Sequence, residues 1–141
     1  MIDRELVIRK FVLIQRDLDA LAPYAVESLG EYLVSRTNQL VVERLLERII
    51  GRLIDVNFHL LTESNQAPPS DYYASFVELA TIGVLDPVSA RRVASCAGLR
   101  NRIVHEYDEL DPAKVHTAIR VALEDIPLLM RSVSAFLDRA S

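Results

Sequence analysis

The chain has 141 residues, the size of one ordinary domain, and half of them are hydrophobic, so it can bury a sizeable core. Its formal net charge of −4 excludes a general attraction to nucleic acid, and any such binding requires a local basic site. Leu, Ile, Val, Ala, Arg and Glu dominate, and no run of alternating β-branched residues is present. These features predict an all-α fold, with residues 1–141 forming one domain.

The first predicted helix covers residues 3–21, where apolar residues recur at steps of three and four. Pro23 is expected to stop this helix. Residues 28–35 then read as a short helix or turn that contains Gly30.

The longest helical pattern covers residues 37–62, with Thr37 or Asn38 as its N-cap. Its broad apolar arc predicts a central helix that is contacted on more than one side. The charged residues of this segment alternate in sign, so we expect a solvated face with helix-spaced ion pairs. They are Glu43, Arg44, Glu47, Arg48 and Arg52.

Residues 64–70 form the clearest loop, and residues 71–81 a shorter helix that Gly83 breaks. Asp86-Pro87 and Asp111-Pro112 each combine an N-cap with proline at the first helical position. The second pair opens a last helix over 112–139, in which Pro127 should introduce a kink. We therefore predict an up-and-down bundle of four to five main helices.

Cys96 is the single cysteine, which excludes an intramolecular disulfide and a thiolate metal cluster. We interpret it as a small buried apolar residue in a reducing cytoplasm. The histidines lack metal-ligand spacing and no phosphate-binding loop is present, so we expect neither a metal nor a cofactor. The charged N-terminus does not resemble a signal peptide, and no apolar run could span a bilayer. We expect a soluble, cytoplasmic protein with no membrane contact.

Residues 87–105 contain four arginines and no acidic residue. The four are Arg91, Arg92, Arg100 and Arg102. In an acidic protein this local positive charge would suit a phosphate-bearing ligand. Alternatively, these arginines pair with carboxylates of neighbouring helices, and the sequence alone leaves both interpretations open.

Arg100 and His105 carry the chemistry of this segment, although a single helical histidine is more often structural. A regular helix would direct the two side chains about 140° apart. They could meet if the helix ended near His105, or if two copies of the segment faced each other in a dimer. His105 could then move a proton and Arg100 could neutralise a phosphorane-like transition state. That combination suffices to cleave RNA without a metal, because the 2′-hydroxyl is the nucleophile.

At three other sites the sequence predicts no catalytic or binding role. His59 is expected to make a structural hydrogen bond, and His116 to be exposed in the first turn of the last helix. Tyr72 and Tyr73 are expected to pack and not to stack on bases.

Arg100, Asn101, His105 and Tyr107, with four residues between the arginine and the histidine, resemble the signature of HEPN-domain ribonucleases. Within that superfamily the chain resembles the HepT-like family. The resemblance extends to the first helix, to the Arg- and Glu-rich long helix and to the closing helix, and so covers nearly the whole chain.

The resemblance implies a homodimeric toxin of a toxin–antitoxin system, with its two motifs facing one cleft, that cuts RNA without metal. Its partner would be a minimal nucleotidyltransferase antitoxin that attaches AMP to Tyr107. The homodimer could also form a higher assembly with this antitoxin. Arg100 and His105 would be catalytic and Asn101 would assist, while Arg102 is given a supporting phosphate contact. Two alternatives stay open: a non-catalytic nucleotide- or substrate-binding subunit of a nucleotidyltransferase complex, and a purely structural bundle.

Overall fold

The computed structural model describes residues 1–140, within which all regular structure is helical. The six α-helices are α1 (Arg4–Val26), α2 (Leu29–Val34), α3 (Arg36–Glu63), α4 (Tyr72–Val77), α5 (Pro87–His105) and α6 (Pro112–Ala140). Two 3₁₀ turns, Glu78–Ala80 and Tyr107–Glu109, follow α4 and α5. The predicted all-α bundle is confirmed, with four long helices and two short ones. Across residues 1–140, no helix is both long and apolar enough to cross a membrane.

Helix α3 lies at the centre of the bundle and packs against all five other helices. Its predicted apolar arc is buried over most of its length. The buried apolar residues are Val42, Leu46, Ile49, Ile50, Leu53, Ile54, Val56, Leu60 and Leu61. Removing these side chains from water is the main force that holds the helices together, at about 25 cal/mol per Å² of apolar surface.

Side-chain caps set where the helices begin. Asp86 accepts a hydrogen bond from the Ser89 N–H at 2.8 Å, so α5 starts where the Asp-Pro pair predicts. The N-cap predicted for α3 is wrong, because the Ser35 hydroxyl caps the helix by accepting from the Asn38 N–H at 3.2 Å. Asn38 instead donates to the Glu27 carboxylate, at 2.9 Å from Oε2.

Prolines do not interrupt the first and last helices. Helix α1 continues through Pro23, so the expected stop at that residue is wrong. Proline removes one backbone donor, but Tyr24 and Ala25 beyond it pack against the core and offset that loss. Pro127 likewise lies inside α6.

The charged residues of α3 divide between two environments. Arg44 forms the expected helix-spaced pair with Glu47 at 3.3 Å. Arg48 and Arg52 instead reach across to Asp17 of α1, which is only 4 % exposed, at 3.1 and 2.8 Å. For these two arginines the expected helix-spaced pairing is wrong, because a buried carboxylate on a neighbouring helix needs a cationic partner.

Candidate active site

Helix α5 presents the motif residues at its C-terminal end. His105 is its last residue, and the following Glu106 N–H donates to the Arg102 carbonyl at 2.8 Å. The helix is therefore regular from Arg100 to His105, which separates the two side chains by about 140° around the axis and about 7.5 Å along it. Among the described residues no hydrogen bond joins these two. One chain does not bring them together.

The Arg100 guanidinium lies over the ring of Tyr72, with its central carbon 5.0 Å from the ring centroid. This cation–π contact sets the direction of the side chain. Arg100 forms no ion pair within residues 1–140, and its Nε is buried without a hydrogen-bond partner. Its positive charge is therefore available to a ligand.

Arg100 opens onto a groove of about 690 Å³ between α1, α3, α4 and α5, which we call the basic groove. Its lining residues are Lys10, Arg44, Glu47, Arg48, Gly51, Arg52, Ile54, Asp55, Phe58, Tyr72 and Arg100. Of these, reasoning from the sequence singled out only Arg100 as functional. Eight of the eleven lie on α3, where their charges have the pattern of an ordinary solvated helix face, and only the tertiary structure joins them to residues of three other helices.

His105 and Tyr107 face solvent at the C-terminal end of α5. His105 is exposed, and Tyr107, in the 3₁₀ turn, is 60 % exposed. Asn101 is exposed too. A second macromolecule can therefore reach both the imidazole and the phenol.

Arg102 lies on a different surface from Arg100. It lines a separate cavity of about 520 Å³ between α5 and α6, together with Lys114 and Glu106. The structure does not bring Arg102 and Arg100 to one place in a single chain, because two helical steps rotate a side chain by about 200°.

For the four arginines of α5, the sequence left two interpretations open: binding of a phosphate-bearing ligand, and pairing with carboxylates of neighbouring helices. Arg92 forms a two-point ion pair with Asp125 of α6, at 3.1 Å from Nε and 3.0 Å from Nη2. Arg91, Arg100 and Arg102 form no ion pair with any described residue. Pairing with a neighbouring helix therefore explains one of the four.

The cysteine is not placed for nucleophilic chemistry. Cys96 is 7 % exposed, as expected for a small buried residue. Burial, and to a lesser extent the nearby Asp125 carboxylate, raise the pKa of its thiol to about 12. Thiolate, the reactive form, is scarce at neutral pH.

The other two histidines have structural contacts. His59 accepts a hydrogen bond from the Asp3 N–H at 2.8 Å, which fits its expected structural role. The exposure expected for His116 is wrong, because its Nε2 lies 2.9 Å from the Glu27 carbonyl and its ring packs 5.2 Å from that of Tyr32. Within residues 1–140, no group of three or more His, Cys, Asp or Glu side chains is placed to hold a metal ion.

Comparison with known proteins adds independent information. Residues 14–133 match the family model described as Ribonuclease HepT-like. The chain is 38 % identical over 125 residues to tRNA nuclease HepT of Aphanizomenon flos-aquae (strain 2012/KM1/D3), covering 89 % of this chain and 85 % of that protein.

Solved structures share the helical fold. One is a toxin–antitoxin crystallised with AMP-PNP, with a TM-score of 0.83 and 23 % identity over 93 % of this chain and 98 % of the other. Another is the tri-AMPylated Shewanella oneidensis HEPN toxin in complex with MNT antitoxin, with a TM-score of 0.83 and 24 % identity over 92 % and 97 % of the two chains.

Proposed function

Because this chain belongs to the HepT-like ribonuclease family, we propose that it is the toxin of a toxin–antitoxin pair and cleaves RNA without a metal ion. The observation that carries the proposal is the arrangement at the end of α5. It combines an Arg100 guanidinium that no carboxylate neutralises with an accessible imidazole on His105. The related tRNA nuclease supports RNA as the substrate class.

The chemistry requires proton transfer and charge neutralisation. The 2′-oxygen of the ribose attacks phosphorus while the bond from phosphorus to the 5′-oxygen breaks. His105 takes the proton from the 2′-hydroxyl or supplies one to the leaving oxygen, since an imidazole titrates near neutral pH. Arg100 offsets the negative charge that builds on the phosphate oxygens. Asn101 and Arg102 would assist by holding neighbouring phosphates.

Two copies of the chain are needed for this mechanism. The α5 helix stays regular through His105 and directs its imidazole away from the Arg100 guanidinium. Two α5 ends that face each other would pair Arg100 of one copy with His105 of the other across a twofold axis. A homodimer therefore completes a site that a single chain leaves divided.

Tyr107 is the proposed point of control. Its phenol is 60 % exposed in the turn directly after α5, two residues from His105. The related Shewanella oneidensis toxin is AMPylated and is bound to an MNT antitoxin, which supports a nucleotidyltransferase partner here. AMP on Tyr107 would place bulk and negative charge beside the catalytic groups and repel the substrate phosphate.

The experiment compares purified wild-type protein with His105→Ala on a structured RNA in the presence of EDTA. We expect wild-type cleavage and a loss of about 10²–10⁴-fold in the variant, the usual contribution of a general acid–base group. Glu106→Gln, at the adjacent exposed position, is the matched control and should keep its activity. Circular dichroism and size-exclusion profiles should match for all three, because His105 makes no packing contact in the core. Full activity of His105→Ala would refute the assignment, and an inactive wild type in EDTA would favour a non-catalytic binding subunit.

A further inference from the structure

We propose that the basic groove binds consecutive phosphates of the RNA strand next to the cleaved bond, with Arg44 and Arg48 as its main phosphate ligands. This inference rests on the proposed function, because it takes RNA as the substrate. It adds α3, which lies outside the motif, to the substrate-binding surface.

The charge of the groove is the first argument. Five cationic side chains and two carboxylates line it, a formal charge of +3 in a protein whose net charge is −4. The buried Asp17 behind the wall reduces this excess to +2. A concave surface concentrates such a field, which attracts a polyanion.

The placement of the cations is the second argument. Arg44, Arg48 and Arg52 succeed one another at four-residue steps on one face of α3. The row is about 12 Å long at the rise of an α-helix. Arg100 lines the same groove, so a strand lying along the row would reach the guanidinium of the proposed catalytic site.

Arg48 keeps hydrogen-bond donors free for an anion. Its Nε is 3.1 Å from a carboxylate oxygen of Asp17, which is buried beneath it. Its two terminal nitrogens have no acceptor among the described residues, and the side chain is 39 % exposed. A guanidinium whose Nε is paired with a buried carboxylate and whose two terminal nitrogens are free presents an open N–H edge to a phosphate oxygen pair.

Gly51 supplies an independent fourth argument. It lies inside α3 and lines the groove, although glycine is unfavourable in a helix interior. A Cβ at this position would meet nothing within 4 Å, so packing does not require glycine. Its absent side chain keeps the floor of the groove open for the close approach of a ligand backbone.

The test measures RNA binding in the His105→Ala background, where cleavage cannot interfere. The probe is a fluorescein-labelled single-stranded RNA of about 12 nucleotides, followed by fluorescence anisotropy over a range of salt concentrations. Arg44→Glu should weaken binding by at least about tenfold and lower the salt dependence by about one phosphate contact.

Arg9→Glu is the matched control for charge. Arg9 is 66 % exposed like Arg44 and has a similar helix-spaced carboxylate partner, but it does not line the groove. It should change the affinity by less than about twofold, as expected for an exposed charge that does not line the groove and is screened by salt.

Gly51→Met tests the shape of the groove without removing a charge. Its side chain would project into open space, so the melting temperature should not fall, but the RNA affinity should fall as the floor is filled. Gly30→Met in α2, where a Cβ also meets nothing within 4 Å, is the control and should bind RNA like its parent.

Equal RNA affinity of the Arg44→Glu and Arg9→Glu proteins would overturn the proposal. So would unchanged RNA binding together with lost association with the antitoxin, because the groove would then be a protein interface. The proposed function fails separately: if wild-type protein does not cleave RNA in EDTA but Arg44→Glu still weakens binding, the groove stands as an RNA-binding surface.

Discussion

Arg92 and Arg100 lie on the same helix but have different partners. Arg92 is neutralised by the buried Asp125 carboxylate, so it joins α5 to α6. Arg100 lies on the Tyr72 ring and has no carboxylate partner among the described residues. A cation over an aromatic face meets no opposite charge, whereas the charge of a cation in an ion pair is offset by its partner. Arg100 is therefore suited to stabilising a phosphate, and Arg92 to stabilising the fold.

The thiol of Cys96 should resist modification in the folded protein. With its pKa raised to about 12 by burial, roughly one thiol in ten thousand is ionised at pH 8. We expect slow reaction with Ellman's reagent in buffer and rapid reaction in guanidinium chloride. Equal rates in the two solvents would contradict the buried position.

The same shift makes stability depend on pH in the alkaline range. The unfolded chain loses the Cys96 proton once the pH exceeds the ordinary thiol value, while the folded chain keeps it until about pH 12. Ionisation therefore favours unfolding as the pH rises through this window. The free energy of unfolding of Cys96→Ala should therefore fall less than that of the wild type as the pH rises through this window.

The helices begin at short polar caps and are held in place by contacts between helices. Asp3, Asp71 and Asp86 each accept a backbone N–H three residues on, which satisfies a donor that the helix itself leaves free. The pairs between Asp17 and the α3 arginines join α1 to α3, and the Arg92 pair joins α5 to α6. Helix α5, which carries the motif, is thus fixed both at its start and along its length.

Arg92→Ala should destabilise the fold, because it leaves the Asp125 carboxylate, 7 % exposed, without its cation. Arg92 itself is 65 % exposed, so water can partly replace it. We expect a loss of about 1–3 kcal/mol in the free energy of unfolding measured by urea titration.

Arg91→Ala is the control for this change, since Arg91 is exposed and forms no ion pair with a described residue; it should shift the free energy by less than about 0.5 kcal/mol. The double variant Arg92→Ala/Asp125→Ala should lose less free energy of unfolding than the two single variants lose together, because both changes remove one interaction. If Arg92→Ala lowers the free energy of unfolding no more than Arg91→Ala does, the Arg92–Asp125 pair does not stabilise the bundle.

The molecule as a whole is acidic, but five of its 16 basic residues line one groove, and Arg100 of α5 is one of them. Such a distribution steers a polyanion towards one surface while the rest of the protein repels it. The proposed active site, divided within one chain, would be completed on that side by a second copy.

Mixing two inactive proteins tests whether the site is shared between copies. Arg100→Ala and His105→Ala would each be inactive alone. After subunit exchange, half of the dimers contain one chain of each kind, and one of their two sites has both groups. We therefore expect about a quarter of wild-type RNA cleavage if each site takes one group from each copy.

The control mixture is Arg100→Ala with a chain that carries both substitutions, which leaves no intact site. Native mass spectrometry with one tagged chain would verify that subunits exchange. If mixed dimers form and stay inactive, the two groups do not act across the interface.

Local patterns in the sequence predicted the helical bundle and the helix starts at Asp86 and Asp111. A cap and its acceptor lie within three residues of each other, and helical periodicity repeats every few residues, so neither depends on distant contacts. Tertiary packing alone decided that α1 continues past Pro23, that Arg48 turns towards Asp17 and that Arg44 and Arg100 share a groove. These outcomes join residues far apart in the chain, and only the burial of the apolar helix faces against one another makes such residues neighbours.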